Sequence, residues 1–223
     1  QEYRGVPSME QLQHEGWHVR LFGGNLLVVS RVAILDSQVR HLGPTGFVAH
    51  CRLDTDGTTT LLFNIHLHSP QVALRQVLNR ETIIDFDAVA VLKRDQQLRR
   101  AQAEQAQEWI STFSGSAIIA GDFNTPPESK IYEDVWSGYS NAFSTSGTGF
   151  GYTRLVRHKP IYYGARIDHI LTDAPKRITR VRSSVTGRSR FRGRAFGRRR
   201  RNRCFRIARL RFVTSHGILG RAE

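Results

Sequence analysis

The segment SAIIAGDFNTPPES, residues 116–129, restricts what this 223-residue chain can fold into more than any other. Ala117 to Ala120 is a short, wholly apolar run, the pattern of a strand covered on both faces. It runs into Gly121, Asp122 and Asn124, residue types that strands disfavour, and Pro126-Pro127 prevents the ladder from continuing. A strand that ends this way presents a carboxylate and an amide at its mouth.

Other segments repeat the theme. NLLVVSRVAIL (25–35) reads as one strand, and GFVAHCRL (46–53) and TTTLLFNIHL (58–67) as two more around Asp56-Gly57. Those two suggest a hairpin, with a spacing that reads as too long for a two-residue loop. Ser69-Pro70 is a plausible helix start. From Lys93 to Phe113 the pattern is helical, with Leu98, Ala101, Ala106, Trp109, Ile110 and Phe113 as its apolar positions. GYTRLV (151–156) and RIDHILTD (166–173) read as short strands separated by a basic loop, Arg154, Arg157, His158 and Lys159. Strands and helices interleave, so the expected architecture is a layered α/β domain. At this length the chain can bury a sizeable core, as one large domain or two small ones.

Four segments place a polar residue at the edge of an apolar run: Gln1-Glu2, FNIHLHSP with His66, IIAGDFN with Asp122 and Asn124, and RIDHIL with Asp168. Strand ends of a layered fold converge on one rim, so these residues can meet. Carboxylates, an amide and an imidazole together suit a hard divalent cation and a phosphate. Taken singly, each has an ordinary reading: a solvated Glu2, a strand histidine, an Asp168 that caps a turn or pairs with Arg166.

Three of these stretches, NIHLHSP, IIAGDFNTPPES and RIDHIL, resemble the motifs of the endonuclease/exonuclease/phosphatase superfamily. The resemblance runs from Gln1 to about Asp173. It implies a DNase I-like four-layered α/β sandwich, two mixed sheets packed face to face with helices outside, here incomplete at both ends. It also implies roles. Glu2 would ligate Mg²⁺, or Mn²⁺ in its place. His66 would stabilise the scissile phosphate, and Asp122 would position or deprotonate the attacking water. Asn124 would hold that geometry and contact phosphate, with Arg157 and Arg166 as further phosphate contacts. Asp168 would orient a second histidine near the C-terminus. The activity implied is divalent-metal-dependent phosphoesterase chemistry, by in-line attack of water on phosphorus. The substrate would be a phosphodiester or phosphomonoester in a nucleic acid, a phospholipid head group or an inositol phosphate, and a monomer is expected. The superfamily's first strand and its Ser-Asp-His motif have no counterpart here. Ser215-His216 stands nearest to the latter, without the aspartate.

Charge separates the chain into two parts. Residues 1–173 hold 16 Lys and Arg against 18 Asp and Glu, whereas residues 174–223 hold 17 against one acid. The first part is therefore expected to be the catalytic domain and the second an arginine-rich tail. That tail reads either as an arm attracted to nucleic acid or as a stretch translated out of frame. With the first option, the alternative to an enzyme is a catalytically impaired scaffold that binds nucleic acid through the tail. Cys51 and Cys204 form neither a disulfide framework nor a zinc site. No apolar run reaches the roughly 18–20 residues of a membrane span. The chain opens on Gln1-Glu2 without a leader, so its natural start is expected to lie further upstream and the compartment is left unassigned.

Overall fold

The computed structural model describes residues 9–22, 26–55, 57–71, 73–74, 86–158, 161–173 and 210–213. Helix α1 (Met9–His14) leads into β1 (His18–Phe22) and β2 (Leu26–Ser30). The chain then crosses to a second sheet with β3 (Ile34–Leu42), β4 (Gly46–Thr55) and β5 (Thr58–His66). The long helix α2 (Phe86–Ser111) precedes β6 (Ala117–Asp122). After it come α3 (Lys130–Trp136), β7 (Ser140–Asn141) and α4 (Ala142–Ser146). The hairpin β8 (Arg154–His158) and β9 (Ile161–Ala165), β10 (Asp168–Thr172) and β11 (Leu210–Val213) complete the described elements.

Two sheets face each other. The larger is mixed and has the order β3-β4-β5-β6-β10-β7; β1-β2-β11 forms the smaller, antiparallel in its described strands. Alternation along each strand builds the layers. Phe22, Leu26 and Val28 of the small sheet pack against Phe47, Ala49, Cys51, Leu62, Ile118 and Ala120 of the large one. On the far side of the large sheet Phe63, Ile65 and Ile119 meet Ala103, Ala106 and Ile110 of α2 and Trp136 of α3. Leu12 of α1 covers Val19, Leu27 and Val29 on the outer side of the small sheet. The sequence of layers is therefore helix, sheet, sheet, helix, the expected four-layered sandwich. Within it β6 is buried along its whole length, which is why its run of apolar residues does not alternate with polar ones.

Several boundaries differ from expectation. The 25–35 run is two strands in two different sheets. Ser30 Oγ donates to the Val32 carbonyl at 2.7 Å and accepts from its N–H at 3.0 Å, turning the chain at Arg31. The β4–β5 connection is a two-residue loop after all, because Thr55 pairs with Thr58 and Gly57 takes φ +82°. Strand β4 runs on past the expected Leu53 to Thr55, whose Oγ1 lies 2.9 Å from Thr60 Oγ1, while β5 begins at Thr58 as expected. The strand expected over 151–156 is β8, Arg154–His158, which takes in Arg157 and His158 from the expected basic loop; Lys159 lies outside the described residues. Helix α2 begins at Phe86, seven residues before Lys93. The helix expected from Ser69-Pro70 is described only in its first turn, where Leu74 N–H donates to the Pro70 carbonyl at 2.9 Å. Of the arginine-rich tail, Leu210–Val213 pairs with β2 as a strand; residues 174–209 and 214–223 lie outside the described residues. Among the described residues no helix is long and apolar enough to cross a membrane.

Candidate active site

Register brings the expected residues together. Strands β5 and β6 are parallel, so both end at the same rim, and their last residues, His66 and Asp122, are paired. Strand β10 runs antiparallel to β6 and begins at that rim, with its first residue Asp168 opposite Asp122. Neighbouring strands lie about 4.8 Å apart, so three side chains from distant parts of the sequence form one row roughly 10 Å long. In-register partners share a face, and this row faces the small sheet. Phe47, at the start of β4, extends it: its ring stacks on His66 at 5.4 Å and 17°.

The Gly-Asp-Phe-Asn sequence follows from the same geometry. Gly121 has φ +140°, and a Cβ there would run into the Ile65 carbonyl oxygen of β5. Only glycine permits both that conformation and that approach. Asp122 is fully buried, a position that costs several kcal/mol for a carboxylate without hydrogen bonds. The Asn124 N–H donates to its Oδ1 at 2.8 Å. Asn124 itself sits at φ +49°, a left-handed conformation that asparagine tolerates better than most residues. Its Nδ2 donates to the Leu67 carbonyl at 2.7 Å, and Leu67 N–H donates to the Asp122 carbonyl at 3.0 Å. The two loops that carry His66 and Asp122 are thereby clamped to each other. Downstream, Ser129 caps α3 by accepting from Tyr132 N–H.

Two supports had no signal strong enough to single them out in the sequence. Thr153 Oγ1 accepts from the backbone N–H groups of Ile167 (3.0 Å) and Asp168 (3.2 Å), fixing the start of β10. His169 faces the opposite side of the sheet, buried against Phe123 and Tyr132. Its Nε2 donates to the Thr125 carbonyl at 2.8 Å, and its Nδ1 accepts from Asn141 Nδ2 at 3.3 Å. The ring braces the loop after Asn124 in its neutral form, and burial pushes its pKa down to about 4. The unfolded chain binds this proton near pH 6.5, so the contribution to stability is complete above that pH. It is lost as the pH falls towards 4, by about 3 kcal/mol in all. Urea midpoints measured between pH 7 and pH 4 are expected to drop accordingly. His169→Gln should start lower and fall less steeply; an identical slope would show that His169 is not the group responsible.

The remaining candidates are distributed differently. Arg166 donates from Nη2 to Ser144 Oγ at 3.0 Å and stacks its guanidinium 4.9 Å above Phe143, so it is engaged with α4. Arg157 lies in β8 opposite Tyr162, in a sheet separate from the row. Glu2 and His216 lie outside the described residues. Asn64, directly below His66 on β5, is 1% exposed and has no hydrogen-bond partner for its amide among the described residues. Its register partners on the same face are Ala49 and Ala120.

The donor chemistry bears on a metal. Among the described residues no group of three or more His, Cys, Asp and Glu side chains is arranged to hold an ion. Those at the rim, Asp122, Asp168 and Asn124, offer hard oxygen atoms of the kind Mg²⁺ takes. Cys51 lies deeper on the same face and is no competing thiolate, since burial raises its pKa to about 12. The rim fits a hard cation provided that a further ligand such as Glu2 completes it.

Comparison with known proteins bears on the family and the fold. The model of the Endonuclease/Exonuclease/phosphatase family matches residues 2–204, most of the chain. A comparison with curated proteins gave no match. Among solved structures, truncated TDP2 from Caenorhabditis elegans is 16% identical with a TM-score of 0.52, covering 95% of this chain and 76% of that one. A longer TDP2 from the same organism is 18% identical with a TM-score of 0.54, covering 95% of this chain, which spans only 58% of it. The mannosyl-6-phosphatase Bt3783 of Bacteroides thetaiotaomicron is 14% identical with a TM-score of 0.53, covering 95% and 79%. At these identities the likeness concerns the fold.

Proposed function

This chain belongs to the endonuclease/exonuclease/phosphatase family, and on that premise we propose that it is a divalent-metal-dependent phosphoesterase. The observation that carries the reading is the in-register row His66–Asp122–Asp168 at the ends of three adjacent strands. Asp122 holds the attacking water and accepts its proton as the oxygen approaches phosphorus in line. His66, backed by Phe47, donates to the phosphoryl group and stabilises the charge that gathers there. Asn124 keeps the two loops at a fixed separation through Leu67. Asp168 orients a second histidine, for which His216 is the candidate. A cation held by Glu2 would neutralise phosphate charge and polarise the ester. Arg157 and Arg166 are secondary candidates for holding phosphate.

The substrate is a phosphodiester or a phosphomonoester. The decisive assay measures hydrolysis of an aryl phosphodiester and an aryl phosphomonoester by the purified chain, with Mg²⁺, with Mn²⁺ and with excess chelator. Turnover is expected with metal and should fall to background in chelator; turnover that survives chelation unchanged would rule out the metal's part. Which of the two substrates is hydrolysed faster then identifies the ester class.

A further inference from the structure

Helix α2 buries the wrong residues for a helix that only packs. Asp95 and Gln102, two turns apart, are among its most buried positions: the Asp95 side chain is 7% exposed and Gln102 is 1% exposed. Apolar residues would fill that space without the several kcal/mol that burying a carboxylate costs. Both polar groups are instead directed at one residue, His68, which follows the row histidine by two positions.

His68 is held at three points. Its backbone N–H donates to Gln102 Oε1 at 2.8 Å, its Nε2 donates to Asp95 Oδ1 at 3.0 Å, and its Nδ1 lies 2.9 Å from Thr45 Oγ1. Because the Asp95 carboxylate only accepts, the Nε2 proton is assigned, and in the neutral ring Nδ1 accepts from the Thr45 hydroxyl. Arg99 Nε donates to the other Asp95 oxygen at 2.9 Å. Gln102 also presses on the start of β4: a Cβ on Gly46 would collide with its carboxamide. The next residue is Phe47, the ring on which His66 stacks. Thus the helix braces both the segment that carries His66 and the surface against which His66 rests. Leu67, between the two histidines, is pinned independently to the Asp122 loop.

We propose that Asp95, His68 and Gln102 are positioning residues, fixing the height and tilt of the His66 imidazole at the rim. The catalytic consequence rests on the phosphoesterase reading above; the positioning itself does not. The test therefore begins with a readout that needs no turnover. In the full chain, the His66 Cε1–H nuclear magnetic resonance signal is assigned by its disappearance in His66→Gln. Its displacement by the Phe47 ring is calibrated with Phe47→Leu. Asp95→Ala and His68→Ala are expected to move the signal most of the way to the Phe47→Leu position, and the isosteric Asp95→Asn part of the way. Should the alanine variants fail to fold, Asp95→Asn and Gln102→Met, which removes the acceptor for the His68 N–H, carry the test at a temperature where both are folded. A His66 signal that stays at its parent position in the folded variants overturns the proposal, whatever their stability.

The second arm is kinetic. Asp95→Ala should lower kcat about 10- to 100-fold with little change in KM, and this loss should vanish in a His66→Gln background. If His66→Gln retains parent activity, the catalytic reading of His66 fails, while the resonance result still decides the positioning.

Discussion

Asp122→Asn is expected to lower phosphoester hydrolysis by about 10²–10⁴-fold, the range for losing a positioned general base, while leaving the fold intact. The reason lies in what the substitution keeps. Asparagine has the same shape, and its Oδ1 can still accept from Asn124 N–H, the 2.8 Å bond that shapes the loop. What it loses is the capacity to take a proton. Removing a fully buried carboxylate also relieves a desolvation cost, so the urea midpoint should stay level or rise. Rate and stability should therefore move independently. Asp122→Asn hydrolysing the ester within a few-fold of the parent rate would remove Asp122 from the mechanism.

Gly121→Ala should have the largest effect on stability, about 3–5 kcal/mol, from backbone strain and overpacking together. At φ +140° an alanine sits in backbone territory that only glycine occupies readily, and its methyl meets the Ile65 carbonyl of the neighbouring strand rather than a side chain that can swing away. The total stability of a domain is roughly 5–15 kcal/mol, so the variant should unfold on the order of 10 °C below the parent. Relief by separating β5 from β6 would also pull His66 away from Asp122, which are register partners across that seam. Unchanged melting and activity in Gly121→Ala would mean that the strand approach described here does not exist in solution.

Much of this site was legible before the fold was known. The strand 117–122, its glycine, and the carboxylate and amide beyond it are marked by residue types with strong local preferences. His66 at the end of β5 and Asp168 at the start of β10 have ordinary readings singly and stand out only through the motifs NIHLHSP and RIDHIL taken together with that stretch. Less was legible where local preference and tertiary demand diverge. Nothing in Ser30-Arg31-Val32 marks a change of sheet, because β2 on one side and Ile34 on the other are equally apolar. The apolar stripe of α2 hides the fact that Asp95 and Gln102 share its buried face, since periodicity treats a polar residue as exposed until a partner is known. Thr153 and His169 are ordinary strand or loop residues in isolation; their roles exist only through hydrogen bonds to groups 14 or more positions away.

Taken alone, the order of residues decided that 117–122 becomes a buried strand and where it stops, because an unbroken apolar run and a terminating Gly, Asp and Pro act over a few positions. Tertiary structure alone decided that β5, β6 and β10 lie side by side with their ends level, so that His66, Asp122 and Asp168 form one row. Adjacency and register emerge from burying whole faces between two sheets and a helix layer, and no stretch of sequence carries that condition by itself.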